Sequence, residues 1–84
     1  MARRVYKYIM PLPGHTLRIG IPSGYSPVHM DMQGDDICMW AEVDSAGSFE
    51  YNFVTLPTGA DIPQGAEHRG TVIDGFYVWH VYEI

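Results

Sequence analysis

The 84-residue chain predicts an all-β fold, a small antiparallel sandwich or barrel-like meander of six to seven strands, with residues 1–84 as a single domain. Three observations predict it. Apolar and polar residues alternate along Tyr25–Gln33 and Asp36–Asp44, the period-2 pattern of half-buried strands. Turn-forming pairs and Pro/Gly breakers recur at short intervals. No segment between breakers sustains a 3.6-residue period.

Taken in order, Arg4–Met10 is rich in β-formers and stops at Pro11-Leu-Pro-Gly14. His15–Ile21 places Leu17, Ile19 and Ile21 on one face, and Pro22-Ser-Gly24 ends it. Tyr25–Gln33 puts Val28, Met30 and Met32 on one side and His29, Asp31 and Gln33 on the other. Gly34-Asp35 turns the chain back into Asp36–Asp44, where Ile37, Met39, Ala41 and Val43 share a face opposite Cys38, Trp40 and Glu42. A second turn is expected over Asp44–Gly47, then a strand over Ser48–Leu56 with Phe49, Tyr51 and Phe53 in register. Pro57–Gly65 holds two prolines and two glycines, which argue against a helix. A single turn is expected around Pro63–Glu67. His68–Asp74 forms a short strand, Asp74-Gly75 a hairpin turn, and Phe76–Glu83 the last strand. The first strand is its natural neighbour, with Arg4 meeting Glu83 across the pair.

Composition narrows the function classes. A chain of this length buries only about 60% of its unfolded surface, so its core is thin. No run approaches the roughly 18 apolar residues of a membrane span, and the opening MARRVYKYIM is a poor signal peptide. Cys38 stands alone, which excludes an intramolecular disulfide and favours a reducing compartment. Lysine and arginine are absent between Arg18 and Arg69, where Asp31, Asp35, Asp36, Glu42, Asp44, Glu50, Asp61 and Glu67 lie, and the formal net charge is −5. Such a field repels phosphate backbones and attracts basic surfaces, so direct nucleic-acid binding is not expected.

Three stretches carry a resemblance: Arg4-Val-Tyr-Lys-Tyr8, Ile37-Cys-Met-Trp-Ala-Glu-Val-Asp44, and Thr58-Gly59 through Gly70-Thr-Val72 into Val78-Trp-His-Val-Tyr-Glu83. Together they resemble a group of short bacteriophage- and prophage-encoded proteins that carry a domain of unknown function. The resemblance covers most of the chain. It implies provenance, a viral accessory protein made in the bacterial host cytoplasm, and transfers no catalytic or binding residue. Pro27 departs from the group's pattern. Since proline cannot donate to a ladder, it marks an edge or a bulge.

The chemistry-bearing residues are sparse. His15, His29, His68 and His80 sit in different elements without ligand spacing, so no metal is expected. Asp31–Asp36 lacks the closing glutamate of a calcium loop and reads as a turn. Cys38 beside Met39 and Trp40 reads as a packed thiol, and no nucleophile elbow or phosphate loop is present. No catalytic residue and no cofactor are expected. The rings of Tyr6, Tyr8, Trp40, Phe76, Tyr77, Trp79 and Tyr82 exceed what one small core hides. The last strand is apolar on both faces, so one face should fill the core and a loop, another sheet or a second chain should cover the other.

The expected function is therefore that of a non-enzymatic accessory protein that binds and inhibits a host protein, of the anti-defence or anti-CRISPR type. The expected partner is a basic, nucleic-acid-binding effector, met by Asp31, Asp35, Asp36, Glu42, Asp44 and Glu50 with Trp40, Trp79, His80 and Tyr82. A homo-oligomer, most simply a dimer, is expected. A small structural or assembly protein of the particle is the alternative, and a small-ligand sponge built on Trp40, His80 or the Pro57–Gly65 loop is the third.

Overall fold

The computed structural model describes residues 3–44 and 47–84. Its strands are β1 (Arg3–Ile9), β2 (Thr16–Ile21), β3 (Ser26–Gln33), β4 (Asp36–Asp44), β5 (Phe49–Pro57), β6 (Glu67–Asp74) and β7 (Tyr77–Glu83). They form two antiparallel sheets, ordered β1-β4-β3 and β2-β5-β7-β6. The fold is a sandwich and not a closed barrel. The turn expected over 44–47 falls partly on residues 45–46, outside the described residues.

Alternation dictates the core. Ile37, Met39, Ala41 and Val43 of β4 are buried against Phe53 of β5 and Val81 of β7. Each of these side chains except the small Ala41 contributes about 1.5–3 kcal/mol on leaving water. Cys38, on the other face of β4, is also buried, and burial pushes its thiol up. Gln33 and Asp36 close the β3–β4 hairpin around Gly34-Asp35 as expected. Pro27 lies in edge strand β3, where the register shifts between Pro27 and His29, so proline coincides with the bulge it was expected to mark. The stretch Pro63–Ala66 is a single turn, closed by Ala66 N–H donating to the Pro63 carbonyl at 3.1 Å.

Two expectations are corrected. First, β1 does not pair with the last strand. It pairs with β4, while β7 lies between β5 and β6. A strand apolar on both faces suits the interior of a sheet, whereas β1, which carries Arg3, Arg4 and Lys7, tolerates an edge. Arg4 accordingly does not meet Glu83, whose cation is Arg69 at 3.2 Å. Second, the β6–β7 turn is Gly75-Phe76, since Asp74 pairs with Tyr77. A two-residue hairpin loop with positive φ at its first central position needs glycine there, and Gly75 has φ +60°. Phe76 is thereby moved from the strand to the turn tip, fully exposed.

The double-sided apolarity of β7 has a covering within the chain. β5 and β6 both run antiparallel to β7. Their connection must therefore return along the sheet, and it does so over the outer face of β7. Thr58 in that connection is 2.8 Å from His80 Nε2, and the segment from Pro57 to Ile62 forms a recess with His80 and Tyr82. Val81 faces the other sheet and is fully buried.

The sheets meet most tightly along β3 and β6. A Cβ at Gly70 would lie 2.8 Å from the Cβ of Met30, far inside contact distance. No other pair of strands from opposite sheets approaches as closely. At the opposite margin the inward-facing Tyr6 of β1 and Leu17 of β2 remain 46% and 43% exposed. The sandwich is thus pinched on one side and splayed on the other.

At one end Tyr25, entering β3, ties the sheets together. Its hydroxyl donates to Glu83 at 2.5 Å, its ring meets Tyr51 edge-on with centroids 5.0 Å apart, and the Arg69 guanidinium lies 5.3 Å from its centroid. Burial, then the hydrogen bond to Glu83, pushes the Tyr25 phenol well above the usual tyrosine range. Burial also raises Tyr8.

Gly70→Ala is expected to destabilise the fold by about 1–3 kcal/mol through overpacking, read by denaturant melts. The tyrosines give a second test. A phenol whose folded pKa is raised stabilises the fold below its unfolded value, near 10, and that stabilisation is lost as pH rises further. Ultraviolet titration of the folded chain should show Tyr8 and Tyr25 ionising above the usual tyrosine value near 10, with stability falling above about pH 10. Tyr25→Phe should remove one of the two late transitions.

Candidate functional site

An exposed apolar area gathers at the end of the sandwich where the β3–β4 and β6–β7 hairpins turn. The β1–β2 connection is drawn across this end by backbone bonds. Met10 N–H donates to the Ile37 carbonyl at 2.8 Å, and Gly14 N–H donates to Thr55 at 2.9 Å. Thr55 is wholly buried, and its hydroxyl donates to the Pro11 carbonyl at 2.8 Å. This fastening explains why the two prolines of Pro11-Leu-Pro-Gly14 lie partly or wholly buried while Leu12 projects outward, 63% exposed.

Below Leu12 opens a cavity of about 300 Å³, walled by Ile9, Leu17, Met32 and Trp79 and edged by Asp35, Asp36 and Asp74. No lysine or arginine is among the described residues that line it. Trp79 also borders a second recess with Pro57, Phe76 and Tyr77, so the two hollows adjoin at this ring. Tyr77 stacks on Trp79 with centroids 5.5 Å apart and planes 8° from parallel. The stack is held by neighbouring alternate positions of β7, so the rings present a rigid wall. Such an arrangement suits a side chain with an apolar stem and a cationic head, since carboxylates rim an aromatic floor.

The residues singled out in the sequence do not form one patch. Asp35, Asp36 and Trp79 reach this end. Asp31, Trp40, Glu42 and Asp44 lie on the outer face of the three-stranded sheet, where basic groups answer two of the acids: Arg3 meets Glu42 at 2.9 Å and His29 lies 3.5 Å from Asp31. Glu50 is on the outer face of the four-stranded sheet, paired in register with Gly20. His80 and Tyr82 share that sheet's outer face beneath the Pro57–Ala66 connection. There His80 Nδ1 is 3.0 Å from Thr71 Oγ1, and Thr71 is 2.9 Å from His68 Nε2. Ile9, Leu12, Leu17 and Asp74 were not among the expected site residues. Their signal was spread over three turns distant in sequence, and only the topology joins them.

Among the described residues no group of three or more histidine, cysteine or acidic side chains is placed to hold a metal, and no helix is long and apolar enough to cross a membrane.

Fold and site define a small antiparallel β-sandwich with an apolar, acid-rimmed end. Over residues 1–84 the chain matches the family described as Domain of unknown function (DUF7352), and it belongs to that family. No curated protein and no solved structure matches it.

Thr55→Val keeps the shape but removes the hydroxyl proton from a buried carbonyl. It should cost about 1–3 kcal/mol and release the Met10–His15 connection, seen as faster amide exchange at Gly14 than at β4.

Proposed function

We propose that the protein is a non-enzymatic binding module that docks a basic, apolar-bearing surface of another protein through its hairpin end. The observation that carries this reading is the adjacency of exposed Leu12, Leu17, Phe76 and Tyr77 to the Trp79 cavity, rimmed by Asp35, Asp36 and Asp74. A fully exposed phenylalanine at a turn tip contributes nothing to its own core, whereas aromatic anchors concentrate interface energy. The carboxylates would steer a cationic partner and set its orientation. Joined to the resemblance to bacteriophage and prophage proteins, the reading extends to an accessory protein that occludes a basic effector of the bacterial host, in the host cytoplasm.

The test is affinity capture of the tagged chain from infected bacteria, followed by titration of the captured protein. Phe76→Ala should leave folding stability within about 0.5 kcal/mol yet weaken binding at least about tenfold. Asp35→Asn with Asp36→Asn and Asp74→Asn should slow association and flatten its salt dependence. Trp40→Ala, on the outer face of the three-stranded sheet, should bind as the parent does. A partner lost with Trp40→Ala and kept with Phe76→Ala would place binding on the sheet face and overturn the reading.

A further inference from the structure

Four strand edges border the two sheets, and they are guarded unequally. β3 carries Pro27 and a register shift between Pro27 and His29, and β6 carries a register shift between His68 and Gly70. These irregularities blunt the pinched margin against further pairing. The splayed margin has no such device. β1 pairs with β4 through seven consecutive residues without a bulge, and β2 pairs with β5 through six. β2 is interrupted by Gly20, which weakens a strand. β1 holds no glycine or proline and is built of Val5, Tyr6, Tyr8 and Ile9 between cations, yet every residue except Tyr8 is exposed. A regular, β-rich, exposed edge is a template for another strand.

Charge and face select the occupant. Arg3, Val5, Lys7 and Ile9 share the outer face of the sheet, and Arg4, Tyr6 and Tyr8 share the inner face. A second copy added antiparallel about a two-fold axis normal to the sheet keeps these faces, so the axis must pass through a residue. Centred on Val5, the seam sets Arg3 against Lys7. Centred on Lys7, it sets lysine against lysine. Centred on Tyr6, it sets Arg3 against Ile9, Arg4 against Tyr8, Val5 against Lys7 and Tyr6 against itself. Of the registers that pair at least five residues of β1, only this last opposes no like charges, and it places each cation against an apolar or aromatic neighbour. We propose that two copies of the chain pair through β1 in this register, forming a continuous six-stranded sheet ordered β3-β4-β1-β1-β4-β3 across the dimer.

Sedimentation equilibrium of the full chain tests the state, and cysteine pairing tests the register. Tyr6→Lys should weaken the dimer at least about tenfold by placing two cations on the axis. Cys38 is 1% exposed and shielded from oxidant. Under mild oxidation, disulfide dimers should form with Tyr6→Cys alone or with Val5→Cys mixed with Lys7→Cys. They should not form with Val5→Cys alone or Lys7→Cys alone. A chain that stays monomeric at about 1 mM, or one that cross-links equally well with Val5→Cys alone, overturns the proposal. The cysteine pattern is read on folded protein, so a Tyr6→Lys variant that fails to fold does not blunt the test. An acidic strand from another protein on this edge would appear as the monomeric outcome.

Discussion

The contact between Gly70 of β6 and Met30 of β3 governs the shape of this molecule. Packed sheets ordinarily lie about 10 Å apart. Here one margin is drawn closer because position 70 has no side chain, so the Met30 side chain occupies the space a Cβ would take. Met30 and Val72, which face inward at that margin, are well covered, at 9% and 2% exposure. The opposite margin stands open in consequence. Tyr6 and Leu17 face inward by register yet see solvent, because the sheets diverge before they reach them. The exposure of Tyr6 and Leu17 is thus a geometric result of where the sandwich closes.

The second organising feature is the interior placement of β7. A chain that returns to insert its last strand between β5 and β6 forces the preceding connection over the outer face of the sheet. That connection covers His80 and Tyr82, while Trp79 and Val81 face the other sheet. The crossover begins beside Trp79, at Pro57, which pairs with it in register. The same topology therefore buries the middle of β7 and leaves its first residues, with the Gly75-Phe76 turn, at the hairpin end beside the cavity. Thr55 completes the arrangement, because one buried hydroxyl fastens the β1–β2 connection beside the cavity.

The strands were legible in the sequence because they depend on local alternation. Asp36–Asp44 is bounded as the pattern requires, the Gly34-Asp35 hairpin is where a glycine and an acid predict it, and Pro27 sits at a bulge on an edge. Pairing between distant strands was not legible, since β1 suits either β4 or β7 by composition alone. The displacement of Phe76 into the turn followed from the φ demanded of Gly75, a one-residue distinction that a Asp-Gly pair does not reveal. The site was half legible. Asp35, Asp36 and Trp79 stand out as acid and ring, but Leu12, Leu17 and Asp74 look like ordinary loop and strand residues until three turns converge. The acidic stretch misled in one respect: Glu42 is paired with Arg3 from the far end of the chain, so a run of acids along the chain is not a run of unpaired acids on the surface.

The two proposed contacts constrain each other. Ile9 closes β1 and also lines the cavity, so β1 points its last residues toward the binding end. An antiparallel seam centred on Tyr6 then carries the two binding ends to opposite extremes of the joined sheet. Arg3, Arg4 and Lys7 of both copies collect near the middle, and Asp35, Asp36 and Asp74 stand at the two extremes. A dimer of this form cannot close both ends on one small partner. It can bridge two partners, or two repeats of one long partner, and then the second contact forms at the high effective concentration set by the first. A protein of 84 residues with a net charge of −5 has little area for a single strong interface. Doubling a modest one through a strand edge raises avidity without a larger core.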